Sequence, residues 1–269
     1  MNNEHIKKIK ELFGECKNSS DGNDIYDNVI IGKNVKMGKN NLILPGTIIV
    51  GDVEIGNNNV IGPHVAIGTP PQHTKYYQEG IDTDCKIKIG DKNVLREFVT
   101  VHSPTSRDTI IGNECFFMAN SHVSHDTQIG NNVVLGNSCA IGGHSTIMNN
   151  VFVGLNSAVH QFATIGAHAM IGMNSTITKD VPPFLVFHNK YNCYKLNEVG
   201  MLRNNFNKND LKIIYDFYNA NGISSDKLEK NLESLNASGF SKIANTIKDF
   251  GVARKRELYE INIKYKPSE

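Results

Sequence analysis

No apolar run of the roughly 18 residues that a membrane-spanning helix needs occurs in the 269-residue sequence, so no span is expected. The first 17 residues, Met1 to Lys17, are charged and lack the apolar centre of a secretion signal. Charge of one sign is also scarce. The formal net charge is +1, which gives no general attraction for nucleic acid. The five cysteines (Cys16, Cys85, Cys115, Cys139, Cys193) are scattered, odd in number and free of any CxxC pair. That argues against a disulfide framework and a cysteine-built zinc site. A reduced, cytoplasmic protein is expected.

What is present is a repeat. The pair Ile-Gly recurs, as at Ile55-Gly56, Ile61-Gly62, Ile67-Gly68, Ile129-Gly130, Ile141-Gly142, Ile165-Gly166 and Ile171-Gly172, and its spacings point to a period of six. From Ile111, steps of six land on Phe117, Val123, Ile129, Leu135, Ile141, Ile147, Val153, Val159, Ile165, Ile171 and Ile177, twelve apolar residues without a miss. At 39% hydrophobic composition, such a series arises by chance with odds on the order of 10⁻⁵. A second series runs from Ile31 to Ile67, and Ile89, Leu95 and Val101 join the two.

Six is neither the helical period nor a hairpin spacing. It is the period of a hexapeptide β-helix, in which three short strands close one triangular coil. One coil is then eighteen residues. Each six-step residue points inward, and Gly and Asn occupy turns whose backbone excludes bulky side chains. The register breaks twice. Ile67 to Ile89 is four residues more than a multiple of six, across the polar stretch Thr69 to Asp84, and Val101 to Ile111 is ten residues instead of six. Loops pushed out of a rigid scaffold are where function tends to sit. The repeat stops at Asp180-Val181-Pro182-Pro183, since prolines end strand pairing. Helical periodicity follows: Leu211, Ile214 and Tyr218; Leu228, Leu232 and Leu235; Ile243, Ile247 and Phe250. Ser224 and Ser225 are expected to cap the middle helix. The predicted organisation is an amphipathic N-terminal helix within 1–20, an all-β solenoid (parallel β-helix) over 21–184, and a C-terminal α-helical domain over 185–269.

Four histidines, His122, His125, His144 and His160, fall in adjacent coils. Gly143 follows His125 by eighteen residues, so it is expected directly above it. An imidazole beside an open glycine backbone suits acyl transfer. The ring takes a proton from an attacking hydroxyl, and the glycine N–H donates to the oxyanion of a thioester carbonyl. Asp126 is placed to fix the tautomer of His125. His64, His73 and His168 read as polar surface residues at turns.

The blocks Asn120-Ser121-His122-Val123-Ser124-His125-Asp126, Gly142-Gly143-His144, Ala158-Val159-His160-Gln161-Phe162, Ile165-Gly166-Ala167-His168 and Asp180-Val181-Pro182-Pro183 resemble the acyl-carrier-protein-dependent UDP-N-acetylglucosamine O-acyltransferases, which open lipid A synthesis. Arg96-Glu97, Thr100-Val101-His102 and Gln72, Lys75 and Tyr76 resemble the same family. The resemblance implies left-handed coiling and a homotrimer with each active site in a cleft between two β-helices. It makes His125 the general base and Gly143 the oxyanion donor. It puts Gln72, Lys75, His122, His144, His160 and Gln161 around the sugar, its pyrophosphate or the acyl chain, and Asn197 and Arg203 in the nucleotide-binding set. Met173 falls where the family gauges acyl length, and its bulk implies a shorter chain. No cofactor is implied, because the acyl donor, on carrier protein or CoA, is a substrate.

There are departures from the family. His73 stands where a carboxylate is usual, Val199 replaces a Glu, and Asn204 replaces the second basic residue of an Arg pair. His188 to Leu196 (HNKYNCYKL) and the N-terminal helix are also unlike it. The acceptor therefore stays open between UDP-N-acetylglucosamine and another nucleotide or amino sugar. An acetyl-CoA-dependent sugar acetyltransferase, a γ-carbonic-anhydrase-like zinc hydratase using His122, His125 and a histidine across an interface, and a non-catalytic scaffold remain alternatives. Arg254-Lys255-Arg256 is either a contact for an acidic carrier protein or a solvated helix face.

Overall fold

A computed structural model describes residues 3–14, 16–18, 21–220, 228–259, 261 and 263. Its centre is a left-handed parallel β-helix of about 9 coils. Three sheets form the walls, with 11, 7 and 8 strands among the described residues. In one coil Phe116–Phe117, His122–Val123 and Gln128–Ile129 supply one strand to each wall. Phe117 pairs with Leu135, Val123 with Ile141 and Ile129 with Ile147, so like stacks on like at eighteen-residue steps. All twelve residues of the long apolar series are buried. Each is worth about 1.5–3 kcal/mol of apolar burial, which makes the register costly to slip.

The turns correct one expectation. In most of the Ile-Gly pairs the glycine is not the left-handed residue. That conformation falls two positions later, whatever the side chain: Asn58, Asn132 and Asn150 adopt it, but so do Glu114, Asp126, His144 and Phe162. Most of the paired glycines are required by the next coil. A Cβ on Gly56 would lie 2.8 Å from Gly90 O, and one on Gly62 would lie 2.7 Å from Leu95 O. Gly68 carries both constraints, with φ +82° and an added Cβ only 1.7 Å from Val50 O. Gly68→Ala is therefore expected to cost about 3 kcal/mol or more, seen as a lower urea midpoint. An unchanged midpoint would show that the rung can open there.

The two register breaks are excursions. Asn57 and Asp91 bond across 34 residues, and Lys92 and Glu114 across 22, in place of the usual 18. The longer excursion contains a short helix.

The N-terminal helix α1 (Asn3–Phe13) packs Ile6 and Ile9 against Tyr26, Leu42, Leu44 and Val60 on the outside of the 11-stranded wall. The short helix of the first excursion is α2 (Thr74–Glu79). Past Pro183 the 11-stranded wall continues through Leu185–His188 and Asn192–Leu196, which form an antiparallel hairpin. The helices follow as α3 (Glu198–Arg203), α4 (Lys208–Ala220), α5 (Leu228–Ala237) and α6 (Ser241–Ala253). Leu211, Ile214, Ile247 and Phe250 join the β-helix interior in one apolar core, and the Tyr218 hydroxyl donates to Pro183 O at 2.9 Å. Ser224 and Ser225 lie outside the described residues. No described helix is long and apolar enough to cross a membrane.

Candidate functional site

The site is built at one corner of the triangle. His125 and Gly143 occupy equivalent positions in successive coils, because Val123 pairs with Ile141. A Cβ on Gly143 would lie 2.8 Å from His125 Cε1 and 3.0 Å from Nε2. The imidazole therefore lies on the bare glycine backbone. The Gly143 N–H makes no hydrogen bond among the described residues, and neither does His125 Nε2.

The other ring nitrogen is anchored, with His125 Nδ1 2.6 Å from Asp126 Oδ2. Asp126 is fully buried, and the second excursion wraps it. Its Oδ1 accepts from the backbone N–H groups of Thr105 (3.0 Å), Ser106 (2.8 Å) and Arg107 (2.8 Å). Its Oδ2 also accepts from the Thr105 hydroxyl at 2.5 Å. Burial alone would raise the carboxyl pKa. The hydrogen bonds from His125, Thr105, Ser106 and Arg107 outweigh it and hold Asp126 well below the usual carboxylate range. A carboxylate that only accepts obliges Nδ1 to carry the proton, which leaves Nε2 as the open base. Arg107 braces the arrangement, donating from Nε to Asp126 O at 2.6 Å and from Nη2 to His144 O at 2.8 Å. This cradle was not foreseen from sequence. Its only signal was the ten-residue step from Val101 to Ile111.

Further imidazoles surround His125. His144 stands edge-on to it at 5.3 Å between centroids, with Nε2 3.5 Å from Asp126 Oδ2. His144 stacks on Phe162 at 4.7 Å. Its pKa is lowered by burial, with Asp126 opposing. His73, expected at the surface, is half-buried with its ring edge-on to His125 at 5.6 Å, because the first excursion folds back over the corner. His122 accepts or donates to the Thr100 hydroxyl at 2.7 Å and meets His102 at 4.6 Å. Burial first, then the imidazoles of His102 and His125, bring His122 from 6.5 to about 4.

His168 also departs from expectation. It is buried against Phe184 and Phe206, where the helical segment covers the last coils. Burial, then Lys242, brings it to about 4. Both rings are thus neutral in the fold near neutral pH. The unfolded chain gains their protons as pH falls below 6.5, and the fold resists until about 4. Stability should therefore drop between those values, by up to about 3 kcal/mol per ring. Urea midpoints measured across the window test it, and a flat profile would refute the neutral state.

The remaining expected residues lie elsewhere in the chain. Gln72 and Lys75 are exposed at the start of α2. His160 and Gln161 are exposed one coil above Gly142 and Gly143. Met173 is 61% exposed at a turn. Asn197 caps α3, its Oδ1 accepting from Gly200 N at 3.2 Å and its Nδ2 donating to His168 O at 2.8 Å. Asn197 and Arg203, with Val199 and Asn204, line a cavity of about 580 Å³ against Val134, Phe152 and Met170. None of the histidines lines that cavity.

Ligand atoms of His125, Asp126 and His144 lie within 4.8 Å of one another, as a metal would require. A metal there would have to take Asp126 Oδ2 from both Thr105 and His125. His122, named in the zinc alternative, is outside this group and is held by Thr100. The donor set fits a base and its anchor better than a metal.

The coil geometry is that of a hexapeptide-repeat protein, and residues 34–69 and 108–143 match the bacterial transferase hexapeptide repeat family. Residues 180–259 match domain 2 of the UDP-N-acetylglucosamine O-acyltransferases. The chain belongs to the acyl-[acyl-carrier-protein]–UDP-N-acetylglucosamine O-acyltransferase family. A member from Thermodesulfovibrio yellowstonii is 39% identical over 204 residues, covering 74% of this chain and 77% of that protein. One from Polynucleobacter asymbioticus is 47% identical over 60 residues, about a fifth of its length. Among solved structures, the UDP-N-acetylglucosamine acyltransferase of Arabidopsis superposes with a TM-score of 0.74 at 25% identity, covering 89% of this chain and 88% of that one. That of Bacteroides fragilis gives 0.71 at 27% identity, covering 91% and 100%.

Proposed function

We propose that this acyltransferase moves an acyl group from an acyl-carrier-protein thioester to a hydroxyl of UDP-N-acetylglucosamine or a closely related nucleotide sugar, with His125 as general base. The observation that carries the reading is the His125–Gly143 stack, with Nδ1 tied to Asp126 and both Nε2 and the Gly143 N–H left open. His125 Nε2 takes the sugar hydroxyl proton. The oxygen attacks the thioester carbon, and the Gly143 N–H holds the resulting oxyanion. Collapse breaks the C–S bond, and the imidazolium returns its proton to the departing thiolate. Asp126 stabilises the imidazolium meanwhile. Each step is covered by these groups, which supports a protein without a resident cofactor.

A homotrimer with the site in the cleft between copies is supported by separation within one chain, since the Asn197–Arg203 cavity holds none of the histidines. We assign that cavity to the nucleotide. Gln72, Lys75, His122, His144, His160 and Gln161 line the path of sugar and acyl chain, with Met173 limiting the chain. A carrier-protein donor and a cytoplasmic setting follow from the same reading.

The test is product formation followed by mass spectrometry. Purified protein is offered UDP-N-acetylglucosamine with a panel of acyl-carrier thioesters and acyl-CoAs. Acylated nucleotide sugar from carrier thioesters alone is expected. Val199 and Asn204 in the cavity and His73 against His125 favour a second reading, in which the acceptor is an amino-sugar nucleotide. Turnover only with that acceptor, or only with acetyl-CoA, would replace the first reading. No turnover with any pair would overturn both.

A further inference from the structure

The Arg254-Lys255-Arg256 run is drawn onto the β-helix as α6 ends. Asp180, fully buried, staples it. Asp180 Oδ2 accepts from Lys255 N at 2.9 Å and Arg256 N at 2.8 Å, while Oδ1 accepts from Thr164 N at 2.6 Å. The Asp180 N–H donates to Glu257 O at 2.8 Å. These are main-chain contacts of the returning segment, so its path does not depend on the Arg256 side chain.

That side chain ends at His160 and Gln161. Arg256 Nη1 lies 2.8 Å from His160 Nδ1 and donates to Gln161 O at 2.7 Å. His160 Nδ1 is also 3.0 Å from Gln161 O. One ring nitrogen therefore has two partners with opposite demands. A carbonyl only accepts, so bonding to it needs a proton on Nδ1. A guanidinium only donates, so bonding to it needs a bare Nδ1. Gln161 O already receives the Arg256 proton, which leaves the ring free to accept. With Nδ1 bare, the proton of the neutral ring sits on Nε2, which has no partner among the described residues.

We propose that Arg256 is a positioning residue that holds His160 as the neutral Nε2–H tautomer, so that the open nitrogen is a hydrogen-bond donor. Its ligand is an acceptor oxygen of the substrate, either a carbonyl or a phosphoryl oxygen. Without Arg256, the ring proton moves to Nδ1 to satisfy Gln161 O, and Nε2 becomes an acceptor facing an acceptor. The role for substrate rests on the acyl-transfer reading; the tautomer does not.

The full chain, labelled with ¹⁵N and ¹³C histidine and with His160 assigned by His160→Gln, is read by NMR for the protonated ring nitrogen. Wild type should show Nε2–H, and Arg256→Ala should show Nδ1–H. Arg256→Lys, whose ammonium also only donates, should restore Nε2–H. In parallel, kcat/KM should fall roughly tenfold in Arg256→Ala, the loss of one hydrogen bond to a charged or strongly polar group, and recover in the Lys variant. Nδ1–H in wild type, or an unchanged tautomer in Arg256→Ala, overturns the proposal. A switched tautomer with unchanged kcat/KM overturns the positioning role. A wild-type chain that transfers no acyl group overturns the acyl-transfer reading and with it that role, and the NMR result still decides what Arg256 does to the ring.

Discussion

His125→Ala is expected to lower kcat about 10³-fold while the protein stays folded. General-base catalysis contributes about 10²–10⁴-fold, and no neighbouring group can take over the position. His144 is edge-on to His125 but belongs to the next coil, with its Nε2 3.5 Å from the Asp126 carboxylate. His122 is neutral, with a pKa of about 4, and is tied to Thr100. The loss should fall on kcat more than on KM, because the proton moves only in the transition state. Stability should change little. Asp126 keeps its donors from Thr105, Ser106 and Arg107 when the imidazole is removed. A cost of about 1–2 kcal/mol for the small cavity is expected. Steady-state turnover by mass spectrometry and a thermal melt read both quantities. Turnover near wild type would remove His125 from the role of base.

Gly143→Ala should be nearly as damaging to turnover and more damaging to the fold. The added Cβ would sit 2.8 Å from His125 Cε1, 3.0 Å from Nε2 and 3.2 Å from Nδ1. The ring has no free direction of retreat. Nδ1 is held by Asp126 at 2.6 Å, and the rings of His73 and His144 stand against it at 5.6 and 5.3 Å. The imidazole must tilt or the coil must spread, at about 1–3 kcal/mol. A displacement near 1 Å at a reacting group costs about 10²-fold in rate. The Gly143 N–H is kept, so the loss isolates the clash from the donor. The double variant decides between them. With His125→Ala as background, the alanine at 143 has room, and its stability cost should vanish. If the cost persists there, the clash is not with the imidazole.

The ladder of inward residues was legible because each coil repeats eighteen residues later and meets only its neighbours. A period in the sequence is then a stack in space. For the same reason the His125–Gly143 stack could be placed by counting. Side-chain identity at the turns was read less well. Glycine after each inward Ile signalled a left-handed turn, whereas most of these glycines answer to the closeness of the next coil, and Phe162 and His144 take the left-handed position themselves. The backbone of the coil imposes that conformation on whichever residue arrives there.

By itself, then, the sequence determined the period, the coil length, the inward face and the eighteen-residue neighbours, since all of these come from local repetition. It did not determine where the two excursions go, and these complete the site. The loop at Thr105–Arg107 closes on Asp126, the loop before α2 lays His73 against His125, and the segment after α6 brings Arg256 to His160. The burial of His168 beneath Phe206 has the same origin. Only the tertiary structure decided these, because each joins segments with no shared period through one-off hydrogen bonds and ring contacts that leave no repeat to count.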